Sequence, residues 1–398
     1  MRFNKWMTCL STGLLLTATP LFAKPVVDME QLQVPQCLAA KLASEYRILA
    51  ENKAFKIIDV PAADLEKITR LADKVRCGRF INVSHQIARH RLSARKRGAR
   101  HLLARPAKKV RSTMGESYPI EHQSEVVEAV TAVNTDNIMA TLTRLTQFEN
   151  RSATKDTGVE TAKWLKSTFE NLALKNKRND TATYFVKTGT RYKQPSLVTV
   201  IGKDIKAPAV VIGAHMDTLD GRMPGAGDDG SGSASVMEMA RVLLESSVEL
   251  KRPVYFVWYA AEERGLVGSQ YVVQDFLKKA IPVRAAIQFD MTGFRNDRND
   301  PTMWVYRDYT DRKLSDFVAK LIDVYVGVPV AESRCGYGCS DHASWMEKGI
   351  PAAFPCETDF ENHNSKIHTS QDTIDRLTPE HMANFAKLGL AFAIELAA

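Results

Sequence analysis

The pattern of apolar and polar residues divides the chain into two parts near residue 118. From there to the carboxyl terminus, short segments that are apolar throughout alternate with longer segments in which apolar residues recur every three or four positions. The first pattern is typical of strands buried on both faces, and the second of helices that pack on a core. The predicted strands cover residues 196–202, 209–214, 253–260 and 284–289, and the predicted helices cover residues 135–148, 157–173, 231–244, 310–326 and 379–395.

This alternation predicts an α/β fold for residues 118–398, with a mixed, mainly parallel β-sheet flanked by helices on both faces. In such sheets, ligands bind at the carboxyl ends of the strands. Polar side chains that directly follow the predicted strands are therefore the first candidates for a functional site.

The amino-terminal third has a different pattern. Residues 1–23 have a basic start, a short apolar stretch and a small final residue, which is typical of a secretory signal peptide. Residues 24–88 contain an amphipathic helical segment at 63–75 and predict a small helical domain. No later stretch is apolar enough to span a membrane, so we expect an exported, soluble, monomeric protein.

The six cysteines suit an exported protein, in which disulfides are stable. Cys37 with Cys77 and Cys335 with Cys339 are the expected pairs, and Cys356 is left over. If the export signal were misread, buried free thiols would be the better interpretation.

Positive charge is concentrated between the two parts. The chain of 398 residues has 54 Lys and Arg against 46 Asp and Glu, a net charge of +8. Ten of the basic residues and no acidic residue fall within 89–111. A basic segment can bind nucleic acid or another polyanion, but this one has few aromatic side chains to stack on bases. We therefore predict that residues 89–117 form an exposed, protease-sensitive linker after a pro-domain at 24–88, and we expect no nucleic-acid partner.

Acidic residues and histidines occur at five places, and three of these places directly follow predicted strands. In chain order the residues are His215, Asp217, Asp228, Asp229, Glu262, Glu263, Asp290 and His368. Each alone has an ordinary structural explanation, such as a helix N-cap or a solvated turn. Together they form a set of nitrogen and oxygen donors that suits Zn²⁺, with Mn²⁺ or Co²⁺ as substitutes. The absence of a Cys-x-x-Cys pair favours an open, catalytic site over a structural one.

The motifs resemble those of the secreted bacterial leucyl aminopeptidases, which use two co-catalytic zinc ions. The matching segments are His215-x-Asp217, Asp228-Asp229-x-Ser-Gly, Glu262-Glu263-x-Gly, Asp290-Met and Ile367-His368-Thr. The resemblance covers residues from about 118 to the end, including 335–345. It implies a zinc-exopeptidase-like fold and a secreted enzyme, synthesised as a pro-enzyme, that removes leucine or another bulky apolar residue from the amino terminus of peptides or proteins.

The resemblance also implies a ligand set. One zinc ion would be held by His215 and Asp290, and the other by Glu263 and His368, with Asp228 bridging the two. Two metal ions arranged in this way can activate one water molecule and polarise the substrate carbonyl.

The remaining roles concern proton transfer and specificity. Glu262 is the expected general base, because neighbouring residues on an extended chain point in different directions and Glu263 is used as a ligand. Asp217 is expected to orient His215, and Tyr337 to stabilise the oxyanion, although a packing role suits Tyr337 equally well. The residues expected to line the specificity pocket are Met291, Cys339, Phe360 and Ile367, with Cys356 and His363 at positions where the family commonly has aromatic residues.

Two other functions compete with this one. A dizinc amidohydrolase or a glutaminyl cyclase would use the same fold, because a scaffold does not determine its reaction. A polyanion-binding protein on an inactive peptidase scaffold would instead use the basic segment at 89–111. The expected partners are peptide substrates and a processing protease that cleaves within 89–117.

Overall fold

The computed structural model describes residues 1, 28–42, 45–87, 91–105 and 117–398. The predicted signal peptide, apart from Met1, lies outside the described residues, and so do residues 89, 90 and 106–116 of the predicted linker. Across the described ranges, none of the helices has the length and apolar character needed to cross a membrane.

The described residues within 28–105, here called the amino-terminal unit, form an α/β structure and not the small helical domain that the sequence predicts. The elements are β1 (Met29–Pro35), α1 (Gln36–Leu42), β2 (Arg47–Glu51), β3 (Phe55–Pro61), α2 (Leu65–Val75), β4 (Ile81–Asn82) and α3 (Leu92–Ala104). The strands form an antiparallel sheet in the order β2-β3-β1-β4. The prediction fails because β1 buries the polar residues Glu30 and Gln31 beside Leu32 and Val34, which hides the alternation expected of a strand.

Part of the predicted linker is a helix packed on the amino-terminal unit. Helix α3 contacts β2, Ala99 is fully buried, and Arg95 lies 3.3 Å from the carboxylate of Asp59. Residues 92–104 therefore extend the core of this unit, and the connection to the larger domain falls after them.

The larger domain has the elements predicted from the apolar pattern and several that the pattern did not predict. They are α4 (Gln123–Thr131), α5 (Thr135–Thr146), α6 (Asp156–Lys175), β5 (Thr181–Val186), β6 (Ser196–Ile201), β7 (Ala209–His215), α7 (Gly232–Glu245), β8 (Val254–Tyr259), α8 (Val267–Lys278), β9 (Val283–Gln288), β10 (Met303–Tyr306), α9 (Arg312–Leu321), β11 (Val330–Ser333), α10 (His342–Glu347), β12 (Ala352–Ala353), β13 (Pro355–Cys356) and α11 (Pro379–Ala397).

The main sheet of this domain has the order β12-β9-β7-β8-β6-β5. Strands β12, β9, β7 and β8 are parallel, and β6 and β5 pair antiparallel at the other edge. Alternate residues of β6, β7, β8 and β9 enter two separate cores. Helices α5, α6, α7 and α11 cover one face, and α8 and α10 cover the other. This is the mixed, mainly parallel sheet with helices on both faces that the sequence predicts.

The sheet brings three strand ends together. Strands β9, β7 and β8 are parallel neighbours, so their carboxyl ends lie at the same edge of the sheet. A small second sheet, in the order β11-β10-β13, lies next to the segment after β9. The predicted polar residues all follow these strands or reach this edge in loops.

Candidate active site

The candidate site lies where three buried strands end. His215 is the final residue of β7 and pairs in register with Tyr259, the final residue of β8. Glu262 and Glu263 follow β8 after a short turn, and Asp290 follows β9. All these acidic residues and His215 are buried.

Two groups of three ligand-type side chains meet here and share Asp228. In the first cluster, His215 Nε2 lies 2.8 Å from Asp228 Oδ1 and 3.5 Å from Asp290 Oδ1. In the second cluster, His368 Nε2 lies 2.9 Å from Asp228 Oδ2 and 3.2 Å from Glu263 Oε2. Each oxygen of Asp228 therefore faces a different histidine, which is the arrangement of a bridging carboxylate. The nitrogen and oxygen donors of each cluster are of the kinds that bind zinc.

Electrostatic interactions keep two of the carboxylates ionised. Burial opposes the charge on Glu263, but the neighbouring His368 and Arg79 outweigh it and lower the pKa of Glu263 to about 2. Burial also opposes the charge on Asp228, and the hydrogen bonds of its carboxylate with His215 and His368 hold its pKa well below its usual range. Both groups are therefore anionic at neutral pH and suited to bind cations.

Glu262 is the carboxylate in this site that differs from its neighbours. Burial raises its pKa well above the usual value, and the nearby Glu263 adds to the effect, while His215 and Arg79 oppose it. A carboxyl group with a raised pKa is suited to exchange protons near neutral pH. The structure thus gives two adjacent glutamates opposite electrostatic properties.

Asp217 has a broader structural role than orienting one histidine. Its Oδ1 lies 3.6 Å from His215 Nδ1, just beyond hydrogen-bond distance. Its carboxylate instead accepts hydrogen bonds from the backbone N–H groups of Glu262, at 3.0 Å, and Glu263, at 3.3 Å. Asp217 therefore fixes the segment that carries both glutamates.

Asp229 connects three elements, a role that the motif did not reveal. The peptide bond between Asp228 and Asp229 is cis. The Asp229 carboxylate accepts hydrogen bonds from the backbone N–H groups of His215, Gly232 and Met291. A Cβ on Gly232 would lie 2.2 Å from the carbonyl oxygen of Phe289, so only glycine allows α7 to begin this close to β9.

Asp372 joins the two loops that supply the second cluster. Its carboxylate accepts hydrogen bonds from Gly227 N at 3.0 Å, Asp228 N at 2.9 Å and Asn364 Nδ2 at 3.1 Å. It is fully buried, and burial raises its pKa to about 6. Sequence reasoning gave Asp372 no role, although it lies four residues after His368, and that proximity was the available signal.

The backbone at the site adopts an uncommon conformation. Ala261, Met291 and His368 have φ angles of 53°, 66° and 59°, in the left-handed region that residues other than glycine seldom occupy. Such residues cluster at functional sites, where the surrounding structure holds them in place. Here Ala261 directly precedes Glu262 and Met291 directly follows Asp290. His368 is itself one of the predicted metal ligands.

A cavity of about 90 Å³ lies beside the two clusters. The structure places the predicted residues Tyr337, Met291, Cys339, Phe360 and Ile367 around it. Tyr306, Phe354, Cys356 and His363 also line it, and the ring of His363 stacks on that of Phe360. The disulfide between Cys335 and Cys339 closes the turn that carries Tyr337, and Cys356 is a buried free thiol.

The amino-terminal unit covers this cavity. Ala72, Asp73, Arg76, Gly78 and Arg79 complete the lining. Elsewhere in the interface, polar contacts hold the unit against the larger domain. These contacts are Glu66 with Arg264 at 2.8 Å, Asn82 N with the carbonyl oxygen of Gly265 at 3.0 Å, and the hydroxyl of Tyr192 with Glu30 at 2.9 Å.

Comparisons with known proteins agree with this geometry. The sequence profile described as Peptidase family M28 matches residues 197–393. The chain is 36% identical over 301 residues to leucine aminopeptidase 1 of Coccidioides posadasii, and this alignment covers 71% of the chain and 76% of that protein. The crystal structure of the LapA aminopeptidase of Legionella pneumophila matches with a TM-score of 0.88 and 64% identity, covering 93% of this chain and 98% of LapA. LapB of the same organism matches with a TM-score of 0.86 and 44% identity, covering 93% and 99%.

Proposed function

Because the chain belongs to peptidase family M28 and is a zinc-dependent aminopeptidase, we propose that it uses two metal ions, prefers a bulky apolar amino-terminal residue and is made as a secreted pro-enzyme. The comparisons confirm the family and the enzyme class that the motifs predict. Relatives occur in fungi as well as in bacteria. The observation that supports two metals is Asp228, whose two oxygens each face a different histidine.

The reaction follows from the positions of these groups. Zinc held by His215, Asp228, Glu263, Asp290 and His368 would lower the pKa of a water molecule and polarise the carbonyl group of the scissile bond. Glu262 takes the proton of the attacking water on its carboxylate and delivers it to the nitrogen of the leaving amine. Asp217 keeps Glu262 and Glu263 in position through their backbone N–H groups, and the hydroxyl of Tyr337 donates a hydrogen bond to the oxyanion.

The cavity supports a preference for apolar amino-terminal residues. Its walls include the aromatic rings of Tyr306, Phe354 and Phe360 and the side chain of Met291. His363 and Cys356 contribute an imidazole ring and a thiol to the same walls. We propose leucine or a residue of similar size as the preferred amino-terminal side chain.

The position of the amino-terminal unit over the cavity supports the proposal that the protein is made as a pro-enzyme. It has its own hydrophobic cores, and it places five residues over the cavity, so substrate access requires its displacement. We propose export through residues 1–23 and cleavage by a processing protease in the connection that follows α3.

The test uses the protein after removal of the amino-terminal unit, with leucine p-nitroanilide and an amino-terminal glutaminyl peptide as alternative substrates. The proposal predicts release of p-nitroaniline, loss of this activity on chelation and its recovery with zinc at two ions per chain. Cyclisation of the glutaminyl peptide without hydrolysis of the leucine substrate would overturn the proposal in favour of a cyclase.

A further inference from the structure

Arg79 places a positive charge against the second metal cluster. Its Nη2 donates a hydrogen bond to Glu263 Oε2 at 2.8 Å, and its Nη1 lies 3.4 Å from His368 Nε2. These are the same two atoms with which Glu263 and His368 form the cluster around Asp228. Nη1 also lies 4.0 Å from the carboxylate of Glu262. Arg79 therefore contacts two residues of the second cluster and lies close to Glu262, the proposed general base.

The loop that carries Arg79 is fixed on the amino-terminal unit. The disulfide between Cys37 and Cys77 anchors it two residues before Arg79. Gly78 has a φ of +99°, and a Cβ there would lie 3.1 Å from both Pro35 and Tyr337. A side chain at Gly78 would crowd Pro35 and Tyr337 and strain the backbone at this positive φ, so glycine allows the approach.

Asp73 holds the histidine of the same cluster from its other side. Its carboxylate lies 2.6 Å from His368 Nδ1, and it leaves Nε2 directed at Asp228 and Glu263. Asp73 belongs to α2, so the amino-terminal unit contacts the second cluster through one acidic and one basic side chain. Asp73 keeps the ring of His368 in the orientation of a metal ligand, whereas the positive charge of Arg79 opposes a metal ion at the second cluster.

We propose that Arg79 acts as a protein cation in competition with the second metal ion, so that the chain with its amino-terminal unit in place binds zinc tightly at the first cluster and weakly at the second. This inference deepens the proposed function and rests on it. A guanidinium group and a divalent ion repel each other strongly in a buried site, and both would be stabilised by the charge of Glu263. His215, the last residue of β7, and Asp290, which follows β9, are the other ligands of the first cluster. Removal of the unit withdraws Arg79 and allows the second position to fill.

The test measures zinc binding by the full-length chain against zinc buffers of known free concentration, with the bound metal counted by mass spectrometry. The variants are Arg79→Gln, which removes the charge, Arg79→Lys, which keeps it, and Arg76→Gln. Arg76 is the matched control because it lines the same cavity but is exposed to solvent.

The wild type, Arg79→Lys and Arg76→Gln should bind a second zinc ion roughly tenfold or more weakly than Arg79→Gln does. Equal second-site affinity in the wild type and Arg79→Gln would overturn the inference and leave the two-metal function intact. Absence of zinc from every folded variant would instead overturn the two-metal function itself. If Arg79→Gln does not fold, the wild-type chain is compared before and after removal of the unit, a step that withdraws Asp73 together with Arg79. Unchanged second-site affinity would then overturn the inference.

Discussion

The two metal clusters share one carboxylate but have different surroundings. The first is built from the ends of two parallel neighbouring strands, β7 and β9, and its backbone is tied together by Asp229. The second combines Glu263 after β8 with His368 from a distant loop, and it is in contact with the amino-terminal unit. The comparison indicates that the sheet determines the first cluster, whereas the second also depends on a distant loop and on contact with the amino-terminal unit.

The largest effects should come from the residue that the clusters share. Asp228→Ala removes a ligand from both positions, so we expect loss of both zinc ions and of activity. His368→Ala should lose the second zinc ion and retain the first, because His215 and Asp290 remain in place. Metal counting on the processed forms of the two variants tests this difference. Retention of two zinc ions by Asp228→Ala would contradict the bridging assignment.

The adjacent glutamates sharpen the comparison. In the processed enzyme, Glu262→Gln should reduce turnover by about 10²–10⁴-fold, the usual contribution of a general acid–base group, while zinc content stays at two per chain. Glu263→Gln is the matched neighbour and should lose the second zinc ion. Near-normal turnover in Glu262→Gln would show that another group transfers the proton.

A smaller effect is expected from the residue that joins the loops of the second cluster. Asp372→Asn replaces one acceptor oxygen with a donor that faces the N–H groups of Gly227 and Asp228. We expect a loss of about 10–100-fold in affinity for the second zinc ion, typical of residues that support metal ligands. Asp375→Asn, an exposed change in the same segment, should leave the affinity unchanged. Equal zinc affinity in the two variants would argue against this role for Asp372.

Much of the larger domain could be predicted because its signals are local. The apolar segments that form β7, β8 and β9 end next to His215, Glu262 and Asp290, so one pattern indicates both the strands and the candidate ligands. Strands such as β12 and β13 have only two residues each, too few for any periodicity to show.

The cover of the site could not be predicted, because it depends on docking between distant segments. Asp73 and His368 are 295 positions apart, and Arg79 and Glu263 are 184 apart. No local pattern marks a basic residue after a cysteine and a glycine as a partner for metal ligands. The sequence did not predict helix α3, because its many basic residues conceal the few apolar positions that pack on the amino-terminal unit.

The most direct test of the central claim compares one preparation before and after proteolytic removal of the amino-terminal unit, with zinc per chain and leucine p-nitroanilide turnover measured together. We expect the full-length chain to hold one tightly bound zinc ion with little turnover, and the processed enzyme to hold two with high turnover. A full-length chain that already holds two zinc ions tightly and turns over the substrate at the processed rate would contradict the account.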